Sequence, residues 1–92
     1  MEFEWDTKKA KLNERKHGVS FNEASEAFRD PNAIEFFDDA NSDDEIRFRL
    51  LAFSLKRFLF VGYSVPVSET IRIITARKAT TVEKRYYYDE QR

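Results

Sequence analysis

Residues 46–76 read IRFRLLAFSLKRFLFVGYSVPVSETIRIITA. Three apolar runs rich in β-branched and aromatic residues, Ile46 to Leu55, Arg57 to Val65 and Thr70 to Ala76, are punctuated by Lys56-Arg57 and by Pro66. Connections this short join antiparallel neighbours, because a parallel crossover needs about a dozen residues or more. The stretch therefore predicts a meander. Working upstream, Ala33 to Phe37 reads as a further strand, and residues 38–44, DDANSDD, as an acidic loop with turn chemistry.

At the N-terminus Phe3 and Trp5 alternate with Glu2, Glu4 and Asp6, the period of a short strand with its aromatic face buried, and Trp5 is a core candidate. Asp6 suits the N-cap of a helix over Thr7 to His17, and Gly18 the left-handed position after it. Ser20 and Glu23 have capping-box spacing for a second helix, with Phe21, Ala24, Ala27 and Phe28 on one face, and Asp30-Pro31 closes it. Thr80 and Glu83 repeat that spacing and open a helix running to about Asp89. Its Tyr86, Tyr87 and Tyr88 either pack against the sheet with hydroxyls outward or offer rings for base stacking. The expected architecture is a two-layer α+β domain: an antiparallel sheet of about four strands, with two N-terminal helices and one C-terminal helix.

The 92 residues allow one domain, 1–92, with a thin core that nine phenylalanines help to fill. With no cysteine and one histidine the chain lacks the ligands of a structural zinc site, so the expected chemistry uses no metal and no cofactor. The opening residues lack the basic and apolar regions of a signal peptide, and no apolar run approaches the roughly 20 residues that span a bilayer. A cytoplasmic protein with no membrane partner is expected.

Net charge is only −1, yet the distribution is uneven. Residues 23–45 carry nine acidic side chains against one basic, whereas residues 46–88 carry nine basic against two acidic. The C-terminal half can hold a phosphate backbone, or the imbalance is a solvated surface.

Metal-free RNA cleavage needs a group that takes the 2'-hydroxyl proton, one that protonates the leaving 5'-oxygen, and positive charge on the phosphate. Histidine is the side-chain type that titrates near neutrality, and His17 sits beside Lys16 at the corner between the first two helices; the alternative is that it caps free helix carbonyls. Arg47 and Arg49 share one face of their strand, and Arg72 lies on the face opposite Ile71 and Ile73. Arginine forks bind phosphate bidentately, although these arginines are equally suited to pairing with Glu45, Glu69 or the acidic loop. Arg77 and Lys78 follow the last strand, where they reach a ligand at the sheet edge or are plain turn residues. Lys16 offers charge beside His17, and Glu45 a proton acceptor beside Arg47. Phosphate loops, dinucleotide-binding glycine patterns, nucleophile elbows and metalloprotease motifs are absent.

Taken in order, Phe3-x-Trp5-Asp6, Asn13-x-x-Lys16-His17-Gly18-Val19-Ser20-Phe21-x-x-Ala24, Asp30-Pro31, Glu45-x-Arg47, and Arg72-Ile73-Ile74-Thr75-Ala76-Arg77-Lys78-Ala79-Thr80 with Glu83 resemble the BrnT toxin family. The resemblance implies a RelE-like fold and a ribonuclease toxin of a type II toxin-antitoxin pair that arrests growth by cutting RNA. It also implies neutralisation by a BrnA-like ribbon-helix-helix antitoxin in a hetero-oligomer, which reaches operator DNA only through the antitoxin. Onto the motifs, chemistry assigns Arg47, Arg72 and Arg77 to the phosphate, His17 and Glu45 to proton transfer, and Lys16 to electrostatic support. The alternatives are a non-catalytic protein- or nucleic-acid-binding module, or an inactive homologue acting only in operon autoregulation.

Overall fold

The computed structural model describes residues 1–39 and 45–92; most of the acidic loop expected over 38–44 lies outside them. The elements run β1 (Glu2–Glu4), α1 (Thr7–His17), α2 (Phe21–Ala27), β2 (Ile34–Phe37), β3 (Arg47–Phe53), β4 (Phe58–Val67), β5 (Thr70–Lys78) and α3 (Thr81–Glu90). Helix boundaries follow their caps. Asp6 accepts from the N–H groups of Lys8 and Lys9, and Gly18 closes α1 at φ 71°. Thr80 and Glu83 form both arms of a capping box. At α2 only one arm is present: Ser20 accepts from the Glu23 N–H, while the Glu23 carboxylate is drawn away to Arg57 and Ser54.

Strands β3, β4 and β5 form the expected meander, but the sheet differs from the sequence expectation in two respects. It has five strands in the order β1-β5-β4-β3-β2, and it is mixed, because β1 lies parallel to β5. The short-connection rule constrains only consecutive strands; β1 and β5 are separated by most of the chain, so nothing forbids a parallel pair. The layering differs as well. Strand alternation sends Leu50, Ala52, Leu59, Val61, Tyr63, Ile71, Ile73 and Ala76 into one core with Val19, Phe21, Ala24 and Ala27 of the α1–α2 segment. The opposite face carries Leu51 and Phe58, which pack with Tyr87 of α3. Helices therefore cover both faces, α3 only part of its own.

Aromatic edge contacts knit the first core: Phe28 meets Phe3 at 5.2 Å and Tyr63 at 4.9 Å between centroids, and half-buried Trp5 meets Phe21 at 6.0 Å. Pro66 lies inside β4, not at the turn; the register shifts between Ser64 and Val67, so its missing N–H falls in an irregularity of the ladder. The reversal is made by Ser68-Glu69, with Glu69 at φ 66°. Among the described residues no helix is long and apolar enough to cross a membrane.

Candidate active site

The face of the sheet that α3 leaves open is built around β4. Directly opposed residues in a ladder share a face, and Phe60, Gly62 and Ser64 alternate onto this one. Ser64 is opposed by Arg47 on β3 and Arg72 on β5, Gly62 by Arg49 and Thr75, and Phe60 by Leu51 and Arg77. Four arginines from two strands thus stand on one face. Arg72 and Arg77 are five residues apart, an odd spacing that would divide them in a regular strand. The register shift at Gly62/Tyr63, where Tyr63 opposes Ile73 and Gly62 opposes Thr75, makes Ile74 an extra residue and restores Arg77 to the face of Arg72.

Ile74 is also where the clefts meet. A cleft of about 470 Å³ is lined by Glu4, Lys9, Glu45, Arg47, Arg72 and Ile74 among others. A second, of about 220 Å³, is lined by Lys9, Asn13, Lys16, His17, Ile74 and Thr75. A third, of about 270 Å³, runs from Arg47 over Gly62 to Ile74 and Thr75. Shared walls make one groove around the bulge, and five of the six candidate residues, Lys16, His17, Glu45, Arg47 and Arg72, line it.

Helix α1 brings His17 there. Beyond Arg72 the outer edge of β5 has no strand partner, since β1 pairs only with Thr70–Arg72. Asn13 takes its place. Its Nδ2 donates to the carbonyls of Ala76 (2.8 Å) and Val19 (3.0 Å), and its Oδ1 accepts from the Ala76 N–H (3.1 Å) and the Thr75 hydroxyl (3.2 Å). His17 lies four residues on and Lys9 four before, so all three share the face of α1 that meets the sheet edge. Among the described residues no hydrogen bond or ion pair engages the side chain of Lys16 or His17; the carbonyl of Glu14 is capped by the Gly18 N–H instead.

Arg72 is engaged. Its Nε donates to Glu4 at 2.7 Å and its Nη1 to Glu45 at 3.1 Å. These carboxylates, Glu4 foremost, hold the guanidinium still more firmly in its charged form, with slight desolvation opposing. Parallel pairing of Glu4 with Arg72 explains the first contact. Arg77 stands apart from the groove: it forks onto Glu83 at 2.9 Å through both Nη atoms, its guanidinium carbon 4.1 Å from the Phe60 ring centroid. Arg77 in turn holds the Glu83 carboxyl below the usual range, against a desolvation that raises it. Arg49 donates to Asp38 at 2.9 Å. Sequence reading assigned no role to Glu4, Lys9 or Asn13; Asn13 was visible as a motif position, the other two only through a strand pairing and a helix docking that no local pattern announces. Among the described residues no three His, Cys, Asp or Glu side chains gather as metal ligands.

Residues 5–83 match the model of a family described as the ribonuclease toxin, BrnT, of type II toxin-antitoxin systems. Among solved structures the chain is similar to the Brucella abortus ribonuclease toxin BrnT, with a TM-score of 0.69 and 23% identity, covering 88% of this chain and 99% of that one. No match is found among curated proteins.

Proposed function

The chain belongs to the BrnT family, the ribonuclease toxins of type II toxin-antitoxin systems, and from that premise we propose that the groove around Ile74 cleaves RNA without a metal ion. The observation that carries this reading is the flanking of Ser64 by Arg47 and Arg72. Their backbones stand two strand spacings, about 9–10 Å, apart on one face, and both side chains line a cleft that continues to an unengaged histidine.

A phosphodiester in that cleft meets two guanidiniums that stay charged at every accessible pH and stabilise the negative charge redistributed in the transition state. The 2'-oxygen attacks phosphorus as a carboxylate or imidazole takes its proton; the bond to the 5'-oxygen breaks as that oxygen receives a proton. The products are a 2',3'-cyclic phosphate and a free 5'-hydroxyl. Glu45 and His17 are the proton carriers. Lys16 adds charge beside His17, and Arg77 extends the positive face toward α3. The acidic pairing of Arg72 keeps its fork oriented until phosphate oxygens compete with Glu4 and Glu45.

The same pairing favours a second reading, a module that docks its partner without cutting, because two carboxylates already occupy the central arginine. In the catalytic reading the protein arrests growth, acts in the cytoplasm and is neutralised by a ribbon-helix-helix antitoxin that covers the groove. Induced expression in bacteria separates the two. The parent is expected to stop growth, whereas equally abundant, folded His17→Ala and Arg72→Ala proteins do not. Full toxicity in both variants would remove these residues from the site, and a harmless, folded parent would favour the docking module.

A further inference from the structure

A cavity of about 700 Å³ lies outside the groove, between α3 and the same open sheet face. Its walls are aromatic. Phe36 and Tyr86 face each other at 5.4 Å with an interplanar angle of 38°, Tyr86 is 42% exposed, and Phe60 forms part of the lining. Two guanidiniums stand over Phe60, Arg77 at 4.1 Å and Arg49 at 5.7 Å from its centroid. Each is oriented by a carboxylate, Arg77 by Glu83 and Arg49 by Asp38.

We propose that this cavity is a nucleobase subsite, which seats one unstacked base of the RNA whose backbone lies on the adjoining groove. Two properties point to a base and not to an aliphatic or purely anionic ligand. A base is a flat π-system, and aromatic rings together with arginine planes are the surfaces on which single-stranded bases stack. Spacing supplies the second. Arg49 lines this cavity and Arg47 the groove, and two residues along one strand separate them by about 7 Å, on the order of one nucleotide step. A strand bound at Arg47 and Arg72 therefore reaches the cavity with its neighbouring base. The bulge at Ile74, by returning Arg77 to this face, sets a second guanidinium on the Phe60 ring beside the cavity. Arg49 so becomes a specificity-determining residue, and Phe36 and Tyr86 the facing rings that hold the base.

The inference rests on the RNA reading above, so its test uses binding and not cleavage. A fluorescein-labelled, 2'-O-methylated hexaribonucleotide, which cannot be cut, is titrated with the protein by anisotropy beside the same backbone carrying abasic residues. Stacking of one base predicts affinity about 5- to 150-fold tighter for the oligonucleotide with bases. That difference should vanish in Phe36→Leu/Tyr86→Leu, which keeps apolar bulk but removes both facing rings, with circular dichroism and melting temperature showing the fold retained. Phe36→Ala/Tyr86→Ala should behave likewise. Equal binding of both oligonucleotides by the parent overturns the subsite while leaving backbone binding and cleavage standing. A base preference that survives in both double variants places stacking elsewhere and overturns it too. If neither oligonucleotide binds, the subsite and the RNA reading fall together. If the Leu and Ala variants bind RNA as the parent does but lose a co-expressed antitoxin, the cavity is a protein-docking surface.

Discussion

Replacing Asn13 by alanine tests how α1 is fixed to the sheet. The side chain supplies two donations and two acceptances, three of them to the backbone of Ala76 and Val19, both wholly buried. In Asn13→Ala the Ala76 N–H is left without its acceptor, which costs about 1–3 kcal/mol, and two carbonyls each lose a bond worth about 0.5–1.5 kcal/mol. Half-buried Thr75 turns its hydroxyl to solvent at little cost, and alanine returns about 0.5 kcal/mol of helix propensity. A net loss of about 1.5–5.5 kcal/mol follows, or a fall of roughly 10–30 °C in melting temperature for a domain of this size. Urea denaturation followed by circular dichroism measures it. Thr75→Val removes only the weakest bond and should cost under about 1 kcal/mol. Asn13→Asp keeps the shape but sets an acceptor against two carbonyls, so it should be at least as harmful as alanine at neutral pH. An Asn13→Ala protein within about 0.5 kcal/mol of the parent would refute the idea that this one side chain closes the open edge of β5.

Three further outcomes follow from buried groups. Arg57 holds the Glu23 carboxyl below its ordinary range through a hydrogen bond, against opposing desolvation and with help from Ser54. Stability from this pair is present above the unfolded carboxyl value near 4.5 and is lost as pH falls through the lower folded value. Arg57→Met should cost about 3 kcal/mol at pH 7 and less at pH 4, where protonation relieves the unpaired Glu23 carboxylate, as urea titrations at the two pH values would show; equal costs at both would disprove the linkage. Burial, then the 2.7 Å bond to Asp30, pushes the Tyr87 hydroxyl up to about 12, so its stabilisation is complete below the ordinary tyrosine value and disappears as pH rises through about 12. An ultraviolet titration should contain a component near 12 that Tyr87→Phe abolishes, and that variant should lose about 1 kcal/mol at pH 7; an unchanged titration curve would contradict the assignment. A Cβ at Gly62 would stand 2.7 Å from the Thr75 γ-methyl, so Gly62→Ala should cost about 1–3 kcal/mol and Thr75→Ser should recover part of it; strict additivity of the two would deny the contact.

What could be read from the sequence was what local chemistry encodes. Asp6, Gly18 and Thr80-x-x-Glu83 mark the ends of α1 and the start of α3 because caps act over three or four residues. The meander was legible because its turns are short. The parallel partner of β1 was not, since nothing in Phe3-x-Trp5 names a strand nearly seventy residues away. For the same reason the pattern Ser20-x-x-Glu23 gave half a capping box: Arg57, 34 residues distant, outcompetes the local backbone for that carboxylate. Candidate site residues were legible as types. Their convergence was not, because it depends on Asn13 docking α1 against β5 and on β1 pairing with β5, contacts between residues more than sixty positions apart; and the return of Arg77 to their face needs a bulge at Ile74 that two adjacent isoleucines, with no glycine or proline, do not announce.

The central claim is that His17 and Arg72 belong to one RNA-cleaving groove. The most direct measurement is cleavage of an end-labelled RNA by the purified, antitoxin-free protein in EDTA, with folded His17→Ala and Arg72→Ala proteins alongside. Cleavage by the parent that leaves 2',3'-cyclic phosphate ends and disappears in both variants is the expected result. Undiminished cutting by either variant, or none by a folded parent even with ribosomes added, would contradict it.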